Sequence, residues 1–308
     1  MTSVLILGGT GMLGSMLTEE LSRRPQIRLS ATHRSLSQVP QHAQISGVTW
    51  VPFDACEPNL DLALDACGRH EWIINAIGIT KPLIRDDDAQ LIERAVRINV
   101  ILPHAIAHFA ADRGARVLQI ATDCVYSGLA GNYSETDPHD ALDVYGKTKS
   151  LGECYASNAT HLRCSIIGPE PKDFKFLLEW FRSQRPGAQV NGFVNHRWNG
   201  ITTLHFARLC AGIIENGIVL PHLQHVVPNG VISKAQMLHE FAAAYERSDV
   251  QIQDTVASKL IDRTLSTSDT ALNEQLWRAA GYRVPPTVPE MIAEVANYPY
   301  RFYDRVLA

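Results

Sequence analysis

Through the first half of the chain, short continuous apolar runs alternate with longer stretches in which apolar residues recur every three or four positions. "SVLILGG" reads as a buried strand, and "GMLGSMLTEELSRR" as a helix with Leu13, Leu17 and Leu21 on one face. "IRLSATHR", "VTWVPFD" and "EWIINAIG" are the next strands. A long helix follows over "AQLIERAVRINVILPHAIAHFAADRG", closing on a glycine suited to a C-terminal cap. "ARVLQIATD", a helix from about Val144 to Asn158 and the strand "THLRCSII" complete the series. Continuous hydrophobic strands alternating with helices predict an α/β protein built on a parallel sheet covered on both faces.

After Pro169 the rhythm changes. "DFKFLLEWFRSQ" and "TLHFARLCAGIIENG" look helical, "LQHVVPNG" resembles an isolated strand, and "SKAQMLHEFAAAYE" is a helix with Ser233 as N-cap. No repeat, low-complexity tract or flexible linker is present. The pattern predicts a main domain over residues 1–168 and a smaller α/β lobe over 169–308 packed against it. A strand near 223–228 is expected to return to the main sheet.

Composition narrows the function classes. At 308 residues, 45% hydrophobic and 19% charged, the chain has room for a full core and a second lobe. A net charge of −4 gives no electrostatic reason to expect a nucleic acid or an anionic membrane as partner. The six cysteines form no C-x-x-C pair and read as free thiols in a reducing compartment. No apolar run approaches the length of a membrane span, and strand-like "VLIL" begins at residue 4. A cytoplasmic location is expected.

"GGTGMLG" supplies Gly8, Gly11 and Gly14 between a strand and a helix. In a dinucleotide site the first glycine permits the tight turn, the second lets the backbone approach a pyrophosphate, and the third lets helix and strand pack closely. Gly8, Thr10, Gly11, Met12 and Leu13 are the residues expected against the cofactor. The lysine and hydroxyl residue of a P-loop are missing. The second strand ends in "SATHRS", with no acid and with Arg34 in position to hold a 2′-phosphate, so NADP(H) is favoured, NAD(H) being the alternative. The competing reading of Arg34 is a solvated surface side chain. Asp54, closing the third strand, is a candidate for the adenine side. Asn75 and Ala76 begin the loop along which the cofactor's middle would pass.

"DVYGKTKSLGE" contains the chain's single Tyr-x-x-x-Lys, Tyr145 and Lys149, which a helix places on one face. Such a lysine stabilises a phenolate and lowers its pKa. "GGTGMLG", "NAIG", "ATDCVYSG" and "DVYGKTKSLGE", in that order, resemble the extended short-chain dehydrogenase/reductase family, and within it the dTDP-4-dehydrorhamnose reductases. The resemblance covers roughly residues 1 to 170. It implies a Rossmann-type doubly wound sheet, a C-terminal lobe that binds a nucleotide sugar, and a catalytic trio at Thr122, Tyr145 and Lys149. It also gives Lys149 a hydrogen bond to the nicotinamide ribose, and makes a homodimer the family expectation.

The departures are informative. Where the rhamnose reductases have tyrosine after Thr-Asp, this chain has Cys124. The sugar-nucleotide dehydratases show Thr-Asp-Glu there, so the missing glutamate argues against dehydration. GDP-fucose synthases carry a cysteine at the corresponding place and use it as an acid/base in epimerisation. Cys124 could act likewise with a partner such as His196, although a small cysteine filling a tyrosine's space is the preferred reading. The rhamnose reductases' metal-binding glutamate has no clear counterpart, so no metal is expected. In "VNGFVNHRWNGITT", His196 and Trp198 belong to a polar and aromatic cluster suited to a base or a pyrophosphate, or else to a packed loop. Arg163 and Arg263 are weaker candidates for diphosphate contact. The function expected is NADPH-dependent reduction of a nucleotide-activated 4-keto-6-deoxysugar, supplying a surface polysaccharide or a glycosylated product. The alternatives are an epimerase or epimerase-reductase using Cys124, and a regulatory subunit that binds NADP without turnover.

Overall fold

The computed structural model describes residues 1–35 and 46–302. Six strands of its main sheet come from the first 163 residues: β1 (Thr2–Leu7), β2 (Ile27–His33), β3 (Val48–Pro52), β4 (Trp72–Asn75), β5 (Arg116–Ala121) and β6 (Ala159–Arg163). The seventh, Leu223–His225, pairs with β6. The order is β3-β2-β1-β4-β5-β6 and then Leu223–His225, every pairing parallel. Strand order therefore reverses between β1 and β4, which opens a crevice at the C-terminal ends of the strands, the ligand edge of a doubly wound sheet. One apolar cluster gathers Leu5, Leu7, Ile73 and Val117 with Ile98, Leu102 and Ile106; a larger one covers the opposite face through Val4, Ile6, Leu29 and Ile74.

The first helix, Met12–Leu21, is buried on nearly every side, Ser15, Thr18 and Glu19 included, so its one-faced pattern understates its packing. The helix Thr203–Asn216 packs against it, and the C-terminal segment straps it: Tyr298 donates to Glu20 and Arg301 to Glu19. The long expected helix divides into Ala89–Val96, a wider π turn over Arg97–Ile101, and Leu102–Ala111. Pro103 has no N–H to offer the carbonyl of Asn99, which accounts for the break in the ladder. Gly114, at φ +66°, takes the left-handed conformation expected after that helix: Gly114 donates to the Ala111 carbonyl and Ala115 to that of Ala110. The Tyr145 helix runs Val144–Leu151, shorter than its apolar pattern suggests. It stops at Gly152, where a Cβ would lie 1.9 Å from the Asn99 carbonyl oxygen.

In the second half, Thr203–Asn216 and Lys234–Ala244 form where periodicity places them, and Ser233 closes a capping box with Gln236. "DFKFLLEW" starts its helix only at Leu177, because Asp173 and Phe174 adopt positive φ. Two further helices, Thr270–Ala279 and Val288–Asn297, follow among the described residues. Among the described residues no helix is long and apolar enough to cross a membrane.

Candidate active site

The turn after β1 is shaped by its glycines. Gly8 has φ +84° and donates its N–H to the Thr32 hydroxyl, fixing the turn to β2. A Cβ on Gly14 would sit 2.0 Å from the Gly8 carbonyl oxygen, so only glycine lets the first helix approach the strand this closely. At Gly11, by contrast, a Cβ would meet only that same oxygen at 3.5 Å, leaving the space above the turn clear for a ligand. Gly11 is also the N-cap, and among the described residues no side chain makes a capping hydrogen bond there. This is the arrangement that accepts a pyrophosphate.

Gly11, Met12 and Leu13 form one wall of a cavity of about 580 Å³. Its other walls include Ala76 after β4, Thr122 and Cys124 after β5, Tyr145 and Lys149, and from the second half Trp198 and Lys234. Sheet topology brings the segments of the first half to one edge, whereas Trp198 and Lys234 arrive from a separate small sheet in which Ile232 pairs with Trp198. Thr122 is buried, and its hydroxyl oxygen accepts from the Cys124 N–H at 3.1 Å. Burial pushes the Tyr145 phenol well above the usual tyrosine range; the negative charges available to Cys124 and Asp123 push the same way, against a hydrogen bond with Thr122. Tyr145 therefore holds its proton at neutral pH. Lys149 is buried and donates to the Ile120 carbonyl at 3.0 Å. Burial lowers its ammonium to about 8, against the opposing pull of Glu153.

Burial also raises the Cys124 thiol, to about 12, with the Asp123 charge adding to the effect. A thiol in that condition is a poor base. The acid/base partnership with His196 does not form: His196 stands outside this cavity wall, donating to the Lys259 carbonyl beside the Phe193 ring. Trp198 does reach the cavity, its indole N–H held by the Ser165 hydroxyl at 2.8 Å.

The two arginines diverge. Arg163 is fully buried and bonded to Glu153, Tyr126, His139 and His225, so the expected diphosphate contact is closed to it. A guanidinium removed from water needs such a complete set of acceptors. Arg263 donates to the carbonyls of Tyr126 and Ser127 and borders a second cavity of about 380 Å³ that shares Lys81 with the first. Its charge also reaches Asp123 and Cys124.

The remaining cofactor candidates, Thr10, Arg34, Asp54 and Asn75, lie at the ends of β1 to β4 and not in the cavity wall. Thr10 is buried in the glycine turn. Arg34 is exposed in the bend after β2, and its charge is felt by Lys172 on the cavity rim. Asp54 is exposed and accepts from the Cys56 N–H. Asn75 is buried, donating to Gln119 and accepting from the Ile77 N–H, so it shapes the loop that carries Ala76.

Two residues were beyond reach of the sequence pattern. Asn99, inside the π turn, accepts from the Ile79 N–H and donates to the Ile79 carbonyl and the Thr148 hydroxyl. It thus ties the loop after β4 to the Tyr145 helix. Lys234, in the cavity wall, follows a recognisable N-cap, but nothing local marks it as a site residue.

Residues 1–298 match the family model described as "RmlD substrate binding domain". Two curated relatives are similar to the chain: a dTDP-4-dehydrorhamnose reductase of Aggregatibacter actinomycetemcomitans, 29% identical, and the spore coat polysaccharide biosynthesis protein SpsK of Bacillus subtilis, 27% identical. Each alignment covers 50% of this chain, and 46% and 47% of those proteins respectively, so the chain matches about half the length of each. The fold is that of a dTDP-4-dehydrorhamnose reductase of Bacillus anthracis solved in complex with NADP, at TM-score 0.70 and 16% identity, over 96% of this chain and 98% of that one.

Proposed function

The chain belongs to the RmlD substrate-binding-domain family, and on that premise we propose that it is an NADPH-dependent reductase of the 4-keto group of a nucleotide-activated 6-deoxysugar. The reading assigns residues 1–168 to the cofactor and 169–308 chiefly to the substrate. One observation carries it: Thr122, Tyr145 and Lys149 border one cavity together with the glycine turn. The groups fit the cofactor, since Gly11 leaves the helix N-terminus clear for a pyrophosphate, and Arg34 stands where a 2′-phosphate would need a cation.

When bound, the reduced nicotinamide supplies the hydride to the carbonyl carbon. Thr122 holds the carbonyl oxygen through its hydroxyl, beside Tyr145. Tyr145, kept protonated by burial, delivers its proton to that oxygen as negative charge develops there. An ordinary phenol is a stronger acid than the alcohol formed, which favours the transfer, and the burial that raises Tyr145 works against it. Lys149 then offsets the charge left on Tyr145. Cys124, its thiol held protonated, fills space beside the sugar.

The test is direct. Purified protein is mixed with NADPH and a dTDP- or UDP-4-keto sugar, and absorbance of the reduced nicotinamide is followed. Loss in proportion to product supports the reductase. Conversion without net loss would make the protein an epimerase, and silence across a substrate panel would make it a binding protein.

A further inference from the structure

The cavity contains a cation that the reduction chemistry leaves unused. Lys234 is the first residue of the helix Lys234–Ala244, where the macrodipole is positive and a lysine is disfavoured. Antiparallel pairing of Ile232 with Trp198 carries it to the cavity, where its ammonium lies 5.4 Å from the centre of the Trp198 ring. Of the neighbouring lysines, Lys81 pairs with Asp143 at 2.8 Å and Lys149 donates to Ile120. Among the described residues, Lys234 has the indole face but no hydrogen-bond acceptor or ion-pair partner.

The local charge balance points the same way. The titratable groups that act on Lys234 are Asp123, Cys124 and Arg263. Cys124 is a protonated thiol, so one buried carboxylate faces two cations, Lys234 and Arg263. Burial draws the Lys234 ammonium down to about 8, a cost that Asp123 only partly offsets. A semi-buried ammonium with three unused donors is expensive unless a ligand completes its shell. Neighbouring Trp198 is held rigid by Ser165 and offers a flat apolar face, suited to the ring beside such an anion.

We propose that Lys234 binds an anionic oxygen of the substrate's diphosphate beside the Trp198 ring. It thereby contributes to the cavity's affinity for the nucleoside diphosphate part of the substrate. This inference rests on the nucleotide-sugar reading above.

The experiment is calorimetric titration, at saturating NADPH, of wild type, Lys234→Met and Lys234→Arg. The probes are dTDP and UDP, their glucose derivatives, and their glucuronic acid derivatives. Lys234→Met is expected to weaken binding by about 10- to 100-fold, the range for a hydrogen-bonded charge contact, with Lys234→Arg restoring most of it. NADPH affinity should stay within about twofold of wild type, which also certifies the fold. Equal losses on all probes support the diphosphate contact; a loss confined to the glucuronic acid derivatives overturns it. A methionine variant that binds every probe as wild type does overturns the proposal while leaving the nucleotide-sugar reading intact. A wild type that binds NADPH but none of the probes overturns both.

Discussion

The ammonium of Lys149 sits 3.0 Å from the carbonyl oxygen of Ile120, fastening the helix of Tyr145 to the strand that leads into Thr122. The two candidate catalytic side chains of that helix are thus held differently. Tyr145 contributes a hydroxyl to the cavity, whereas Lys149 contributes a charge and a structural tether. Tyr145→Phe should therefore fold and bind NADPH as wild type does, while the chemical step slows by about 10²–10⁴-fold. Lys149→Met should slow the step and weaken cofactor binding together. Single-turnover rates combined with calorimetry separate the two; a Tyr145→Phe protein reducing a 4-keto sugar at the wild-type rate would refute the catalytic role.

Arg34 offers a test of cofactor choice. If its guanidinium holds the 2′-phosphate, NADPH should bind more tightly than NADH by about one to two orders of magnitude, from a charge-assisted contact of roughly 1.5–3 kcal/mol. Arg34→Ala should remove most of that preference and leave NADH affinity nearly unchanged. Equal dissociation constants for the two cofactors in wild type would rule the assignment out.

Cys124, with its thiol raised to about 12, is not expected to abstract a proton from carbon at neutral pH. Turnover in deuterium oxide should give product without solvent deuterium at the carbons flanking the former ketone, and Cys124→Ser should still reduce. Mass spectrometry of the product decides the matter. Deuterium at those carbons that disappears in Cys124→Ser would restore the epimerising role.

Glu135 joins the seventh strand to the C-terminal part of the chain, accepting from His225, Thr267 and Ser268. Burial alone would raise its carboxyl, but these hydrogen bonds and the nearby His225 hold it at about 2. Its folded-state value is thus depressed below the ordinary 4.5, so its stabilisation is complete above pH 4.5 and is lost as pH falls toward 2. Glu135→Gln should lower stability by about 1–3 kcal/mol at pH 7, and by much less near pH 3. Urea unfolding of both proteins at the two pH values measures it; an equal difference at both would exclude the linkage.

What the sequence settled by itself is local. The glycine turn follows from residues within seven positions, and Tyr145 and Lys149 share a face because a helix repeats every 3.6 residues. The Ser233 cap needs only its neighbour Gln236. The parallel sheet was legible because strands buried on both faces are apolar throughout. Tertiary structure decided the rest. Arg163 looked like a ligand contact at a strand end, yet Tyr126 and His225 arrive from other segments and enclose it. His196 and Trp198 are two residues apart on one strand, where alternation puts both on one face, yet Lys259 from a distant segment engages His196 and only Trp198 reaches the cavity. Lys234 becomes a site residue because strand pairing delivers it to that tryptophan. Periodicity reports that a face is covered; it carries no record of which distant segment covers it, and burial, charge pairing and cavity shape all depend on that segment.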